Sequence, residues 1–151
     1  MVEWIPRIVR PQVEATDADI RIIEAAKGVS LPLDYVEVVR RHQGAMPSAG
    51  SVEGDGFSTA IEYLYLVTPS LSDVHYILNR ETFSDPSMLA FAHGLGGDTF
   101  LFRFATPSRS WFRRPVTPPP EIWVHTSDNG DTPFVRLASS FSEMVEKFGE
   151  D

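Results

Sequence analysis

Apolar residues recur at helical spacing near the start of the chain, in residues 16–28. Ile20 and Ile23 lie on one side of the helix that this spacing predicts. Thr16 is suited to cap the first turn, because its hydroxyl can accept a hydrogen bond from a free backbone N–H group. Gly28 is placed to end the helix in a left-handed conformation.

Two later stretches show the same period and predict two more helices. Pro32 and Gly44 bound the first, since proline suits the first helical position and glycine commonly ends a helix. Ser140 begins the second and forms an S-x-x-E capping box with Glu143. The apolar stripes are Tyr35, Val36 and Val39 in the first stretch and Phe141, Met144, Val145 and Phe148 in the second.

Runs of aromatic and β-branched residues predict five strands. These runs are residues 60–67, 88–92, 99–104, 121–125 and 134–137. Between the first two, Leu71, Val74 and Leu78 have helical spacing and predict a short helix in residues 68–79. Residues 45–56 are rich in glycine and serine and predict a loop.

The order of these elements predicts one α+β domain, because helices lie mainly at the two ends and strands cluster in the second half. We expect a central, mostly antiparallel sheet packed by the N- and C-terminal helices. A doubly wound α/β fold would need a helix between most strands, and the sequence of residues 88–136 predicts none. We assign residues 1–12 to an N-terminal lead segment and residues 13–151 to the domain.

Composition narrows the class of protein. The chain has 151 residues, of which 42% are hydrophobic and 23% charged, as in ordinary soluble proteins. The absence of cysteine excludes disulfides, thiolate nucleophiles and zinc–thiolate sites. The start of the chain lacks the apolar run of a signal peptide, and no segment approaches the roughly 20 apolar residues of a membrane span. We therefore expect a cytoplasmic protein that does not bind membranes.

The net charge of −8 disfavours nucleic acid as a partner, because phosphates would be repelled. It favours a basic protein partner, although plain solubility is the simpler explanation of an acidic surface. Residues 103–114 contain four arginines and no acid, so the rest of the chain carries −12.

Residues 105–120 form an unusual insert, with five prolines and three arginines around Trp111 and Phe112. Proline cannot donate to a sheet, so the insert is not a central strand. Tryptophan and arginine are enriched among the residues that dominate binding energy at interfaces. The alternative is a hairpin extension whose Trp111 folds back on the core.

The sequence "HGLGGDTFLFRF", residues 93–104, is glycine-rich but does not match a nucleotide loop. A P-loop needs a lysine and a following helix, and a dinucleotide loop also opens a helix. Here no lysine follows, and the next segment predicts a strand. We expect a turn between strands that binds no nucleotide, with Asp98 accepting hydrogen bonds from the turn's own backbone.

The sequence offers no catalytic constellation. His42, His75, His93 and His125 lack the spacing of zinc ligands, and no G-x-S-x-G elbow is present. We predict no catalytic residue, no metal and no cofactor. His93 and His125 could meet across strands, and a pocket near Asp98 and His93 is the remaining alternative for a small-ligand binder or an enzyme.

The acid-rich first predicted helix and four later segments, taken in order, resemble the SUKH superfamily. The four segments are "GVSLPLDYVEVVRRHQG", "GLGGDTFLF", "EIWVH" and "LASSFSEMVEKF". The likeness spans about residues 13–150. Gln43 stands where the superfamily usually has asparagine, and the insert at 105–120 is longer than usual. The residues that match the pattern are Leu31, Pro32, Tyr35, Gly44, Gly96, Gly97, Asp98, Trp123, Ser140 and Phe141.

The resemblance implies an α+β fold without catalytic activity. In bacteria it implies an immunity protein that neutralises a cognate toxin by direct binding; a basic, nuclease-type toxin would fit the acidity. The alternative is a regulatory scaffold, as in the branch that includes the yeast cell-wall assembly regulator. The matched residues have structural rationales, so the binding candidates come from two loops. These are Glu53 and Asp55 in the acidic loop and Arg109, Trp111, Phe112 and Arg113 in the insert.

Overall fold

A computed structural model of the protein describes residues 2–54, 56–80, 83–105, 108–110, 113–116, 118–126 and 133–149, with the backbone alone at 108–110 and 113–116. No helix within these residues is long and apolar enough to cross a membrane. The helices described are α1 (Asp17–Lys27), α2 (Leu33–His42) and α3 (Phe141–Glu146), with 3₁₀ turns at Ile77–Asn79 and Leu95–Gly97.

The strands of the described residues pair with one another antiparallel throughout. They are β1 (Trp4–Pro6), β2 (Ala45–Pro47), β3 (Ser51–Gly54), β4 (Phe57–Leu64), β5 (Met88–Gly94), β6 (Thr99–Arg103), β7 (Ser108–Ser110), β8 (Arg113–Val116), β9 (Glu121–His125) and β10 (Phe134–Ala138).

Six of the strands form the central sheet, in the order β10-β9-β6-β5-β4-β3. β1 pairs with β2, and β7 pairs with β8, as separate two-stranded ribbons. The predicted α+β domain with a mostly antiparallel central sheet is confirmed.

The sheet coils so strongly that its two edge strands, β3 and β10, approach each other at Gly54. A Cβ atom there would lie 3.0 Å from side-chain atoms of Val135 and Leu137 and 3.3 Å from the backbone oxygen of Arg136. Glycine in a strand commonly marks such a close approach of another backbone. The coiling keeps β3 beside the rest of the domain.

Helices α2 and α3 pack on one face of the sheet around Tyr35. The Tyr35 ring is fully buried and meets three phenylalanine rings edge-on: Phe102 at 4.9 Å, Phe141 at 5.5 Å and Phe91 at 5.7 Å between centroids. Such aromatic pairs contribute about 0.5–1.5 kcal/mol each beyond the burial of their area. This cluster fixes α3 against α2 and the middle of the sheet.

The predicted N-caps are confirmed. Thr16 Oγ1 accepts a hydrogen bond from Asp19 N at 3.1 Å, and the Asp19 carboxylate accepts one from Thr16 N at 3.0 Å. Ser140 Oγ accepts from Glu143 N at 3.1 Å. The Ser139 hydroxyl donates a hydrogen bond to the Glu143 carboxylate. This carboxylate therefore does not accept from Ser140 N, which would be the second hydrogen bond of the predicted capping box.

The other helix boundaries are close to the predicted positions. Gly28 ends α1 with φ of +66° and donates its N–H to Glu24 O at 2.8 Å, which confirms the left-handed cap. Pro32 is extended and caps α2, so Leu33 rather than Pro32 is the first helical residue. α2 ends at His42.

The prediction of a loop at residues 45–56 is wrong over most of its length, because this segment contains β2 and β3. β2 pairs with β1, placing Met46 opposite Ile5, and β3 pairs with β4. Both strands are short and contain residues with low strand propensity. Their pairing depends on partners that the tertiary fold brings alongside.

The short helix predicted at residues 68–79 is also wrong. The segment consists of turns and one 3₁₀ turn, Ile77–Asn79. A parallel bridge between Leu66 and Tyr76 ties it to the end of β4. Val74, which the helical stripe would bury, is 64% exposed.

Within the insert, the described backbone of residues 108–110 and 113–116 forms the two-stranded ribbon β7–β8. This antiparallel pairing agrees with the alternative that the insert is a hairpin extension. Whether Trp111 folds back on the core concerns a residue outside the described ranges.

Candidate functional site

The described residues among those predicted to bind a partner lie on two different pairs of strands, β3–β4 and β7–β8. Glu53 is exposed on β3, opposite Ser58 in the β3–β4 hairpin. Arg109 and Arg113 have their backbones in β7 and β8. The remaining candidates lie outside the described residues: Asp55, Trp111 and Phe112.

Three segments of the chain meet beside β3. Ser48 N donates a hydrogen bond to Glu3 O at 2.7 Å, and Ser48 Oγ accepts one from Glu3 N at 3.0 Å. Three residues further on, Ser51 O accepts from Gly149 N at 3.0 Å. The start of the chain, β3 and the end of the last helix therefore converge.

Each of the three segments contributes an exposed glutamate, and we call Glu3, Glu53 and Glu146 together the acidic corner. Within the described residues, none of the three forms an ion pair. The sequence analysis singled out Glu53 but missed Glu3 and Glu146. The hydrogen bonds that bring their segments together join residues about 45 and 98 positions apart, so no local pattern in the sequence points to this arrangement.

Elsewhere on the described surface, some acids are paired with a base, whereas Glu14, Glu37 and Asp73 are exposed carboxylates for which the described residues form no ion pair. The Lys and Arg ion pairs are Arg7–Glu62, Arg40–Asp17, Arg136–Glu121 and Lys147–Glu143. These cations partly neutralise the four carboxylates that they contact.

An open cavity of about 430 Å³ lies next to the acidic corner, between the β3–β4 hairpin and the glycine turn that follows β5. We call it the Asp98 cavity. Ser51 belongs to its wall and also accepts the hydrogen bond from Gly149. Its lining residues are Ser51, Phe57, Ser58, Thr59, Ala60, Leu95, Gly96 and Asp98.

The glycine turn is a tight link between β5 and β6, as predicted. Gly96 and Gly97 have φ of +71° and +86°, which side chains disfavour. Gly94 N donates to Asp98 O at 2.7 Å and closes the turn. Leu95, at its apex, is 56% exposed.

Asp98 is only 7% exposed. Its carboxylate accepts a hydrogen bond from Thr59 Oγ1 on β4 at 2.8 Å. The expectation that it would bond the backbone of its own turn is wrong, because main-chain oxygens close that turn: Asp98 N donates to Leu95 O. The carboxylate therefore lies in the wall of the cavity.

His93 does not line this cavity with Asp98. Its ring stacks on Tyr63 at 5.1 Å, and its Nε2 lies 3.7 Å from Glu62 Oε2. His125 does not meet it either, because Thr99 on β6 pairs with both histidines and stands between their strands.

The rings around Tyr63 are held in a poorly hydrated environment. Burial raises the pKa of the Tyr63 phenol, and the charge of Arg80 opposes part of this rise. Burial also lowers the pKa of His75, with further lowering from the charges of Arg80 and His93. The raised pKa of Tyr63 and the lowered pKa of His75 each favour the neutral side chain. The rings of this cluster pack against one another on the sheet.

A family model described as the SMI1 / KNR4 family (SUKH-1) matches residues 14–147, which is most of the chain. The chain belongs to the SUKH-1 family. No curated protein matches it. The SUKH-1 match includes Glu53, Glu146 and Asp98, and it begins after Glu3.

Several residues of the SUKH-1 pattern hold the fold together. Leu31 is buried, and its N–H donates to Glu24 Oε2 at 2.7 Å, which fixes the link between α1 and α2. Trp123 Nε1 donates to Glu121 Oε1 at 3.4 Å, and the Arg103 guanidinium lies over the Trp123 ring at 5.1 Å.

Gln43, which stands where the SUKH superfamily usually has asparagine, is fully buried. Both the oxygen and the nitrogen of its side-chain amide form hydrogen bonds. Its Oε1 accepts from the backbone N–H groups of Val67 and Thr68 at 2.9 and 3.0 Å. Its Nε2 donates to Val13 O at 3.1 Å and to Thr68 Oγ1 at 3.0 Å. Gln43 thus ties the end of α2 to the segment after β4.

Proposed function

We propose that this SUKH-1 chain is a non-catalytic immunity protein that neutralises a basic protein toxin by binding it through the acidic corner. The observation that carries the proposal is the convergence of Glu3, Glu53 and Glu146 without cationic partners among the described residues. Membership of the SUKH-1 family supports a protein-binding role of the immunity or regulator type.

Charge supports the choice of a basic partner. The chain carries −8 overall, so its field attracts cationic proteins before contact. A toxin that cleaves nucleic acid needs a basic surface to bind its substrate, and carboxylates placed on that surface would block it. The proposed mechanism is stoichiometric masking of such a surface.

The test is co-expression with the protein encoded by the adjacent gene, followed by affinity purification and a growth assay. We expect a stable complex and relief of growth inhibition by the wild-type chain. The double variant Glu53→Lys and Glu146→Lys should neither form the complex nor relieve the growth inhibition. Asp73→Lys is the matched control, since Asp73 is an exposed carboxylate outside the acidic corner.

Two results would contradict this account. A complex that forms without any toxicity of the partner would indicate a regulatory scaffold. A complex that the double reversal leaves intact would show that the partner binds elsewhere, with the insert as the next region to examine.

A further inference from the structure

We propose that the Asp98 cavity is a specificity pocket that receives one arginine side chain of the protein partner. The inference rests on the proposed function, because it supplies the chemistry by which the partner of the acidic corner is recognised. The cavity combines a buried carboxylate, several hydroxyl groups and an exposed apolar rim.

Asp98 contributes a buried carboxylate to the wall of the cavity. Asp98 is 7% exposed, and within the described residues its carboxylate has one hydrogen bond, from Thr59 Oγ1. A carboxylate has about four acceptor positions, and the described residues fill one of them. A charge removed from water in this way is compensated best by a cation that also donates hydrogen bonds.

The remaining walls favour a guanidinium over an ammonium group. Ser51, Ser58 and Thr59 are among the residues that line the cavity, and each carries a hydroxyl group. A guanidinium carries five N–H donors in one plane and can satisfy a carboxylate and hydroxyls together. It also stacks on aromatic rings, and Phe57 lines the same cavity.

The rim fits the aliphatic part of an arginine side chain. Leu95 is 56% exposed at the tip of the glycine turn and lines the cavity. The methylene stem of arginine can pack on such a surface while the charged end lies deeper.

The position of the cavity connects it to the acidic corner. Glu53 lies opposite Ser58 in the β3–β4 hairpin, and Ser51 borders both features. The corner attracts a basic partner over a long range, whereas the cavity selects one side chain at short range. The two features together distinguish a partner with an arginine at the right position from basic proteins in general.

The probe is N-acetyl-arginine N-methylamide, titrated into the isotope-labelled full chain and followed by amide chemical shifts. The neutral citrulline analogue is the matched control for shape. We expect saturable shifts at Thr59, Gly96 and Asp98 with the arginine compound and none with citrulline. Asp98→Asn keeps an acceptor for Thr59 and should weaken binding about 30-fold or more.

Glu62→Gln is the control for net charge. Glu62 lies on the same strand as Thr59, is already paired with Arg7 and does not line the cavity. This variant should bind the arginine compound as the wild type does. Amide spectra of both variants show directly whether the fold is intact.

Three outcomes would overturn the inference: no saturable shift in the wild-type chain, equal binding by Asp98→Asn, or tighter binding of the matching lysine compound. Failure here differs from failure of the proposed function. If the complex with the neighbouring gene product forms and Asp98→Asn leaves its affinity unchanged, the pocket is refuted and the proposed function stands. If the arginine compound binds but no complex forms, the proposed function is refuted and the pocket stands.

Discussion

Gln43 shows how much a single buried polar residue determines at one junction of this fold. Its side chain satisfies two backbone N–H groups of the segment after β4, and its own N–H groups are satisfied in turn. The residue was visible in the sequence only as a substitution in a family pattern. Its partners could not be predicted, because they lie on segments more than 20 residues away in either direction.

We predict that Gln43→Leu lowers the free energy of unfolding by about 3 kcal/mol or more. The leucine fills similar space but leaves the N–H groups of Val67 and Thr68 unpaired, at roughly 1–3 kcal/mol each. Urea unfolding measures the change. Gln12→Leu, which removes one hydrogen bond to the backbone oxygen of Gln43, is the control and should cost less. A smaller loss for Gln43→Leu would refute the bridging role.

At the scale of elements, local signals located the helices well. Thr16, Gly28 and Ser140 act through atoms within a few residues, so the sequence was sufficient to predict their positions. The strands β5, β6, β9 and β10 were predicted from their runs of aromatic and aliphatic residues. These runs are densest in β5 and β6, which lie in the middle of the sheet and are buried on both faces.

The errors fall where tertiary contacts override composition. β2 and β3 contain glycine, serine and proline and form because β1 and β4 lie beside them. Residues 68–79 have a helical period by coincidence, and the bridge from Leu66 to Tyr76 sets their path instead. The acidic corner and the Asp98 cavity could not be predicted for the same reason: each joins distant segments.

The last helix allows a direct comparison of capping and packing. We predict that Ser140→Ala costs about 1 kcal/mol, through the lost hydrogen bond to Glu143 N. Phe148→Ala should cost roughly 3–5 kcal/mol, because the ring is buried and meets Trp4 edge-on. Thermal and urea unfolding of both variants measure this. A larger effect of Ser140→Ala would show that packing is not what holds the C-terminal segment.

The segment after β4 should make stability dependent on pH through His75. Its pKa lies below the ordinary 6.5 because of burial and the charges of Arg80 and His93. The unfolded chain therefore binds the proton more readily, so the stabilisation is complete above about pH 6.5 and is lost as pH falls below it. We expect the urea midpoint to decrease from pH 7 to pH 5.

His75→Gln should reduce that decrease. His42 has a pKa lowered by burial and by Arg41, so adding His42→Gln should flatten the profile further. If His75→Gln kept the full decrease, the acid sensitivity would have to come from other groups.

The whole molecule carries a net charge of −8, and the acidic corner lies where the described N-terminal segment and the residues after α3 approach β3. Long-range attraction mainly accelerates association, and it weakens as salt shortens the screening length. Short-range fit in the Asp98 cavity would instead slow dissociation. The two features therefore affect different rate constants.

The most direct test of partner binding through the acidic corner is surface plasmon resonance with the co-purified partner at several salt concentrations. The account predicts that Glu53→Lys combined with Glu146→Lys slows association about tenfold or more at low salt and flattens the salt dependence, whereas Asp73→Lys changes both far less. Association rates and salt dependence that are the same for the wild type and the double variant, with the fold intact, would contradict the account.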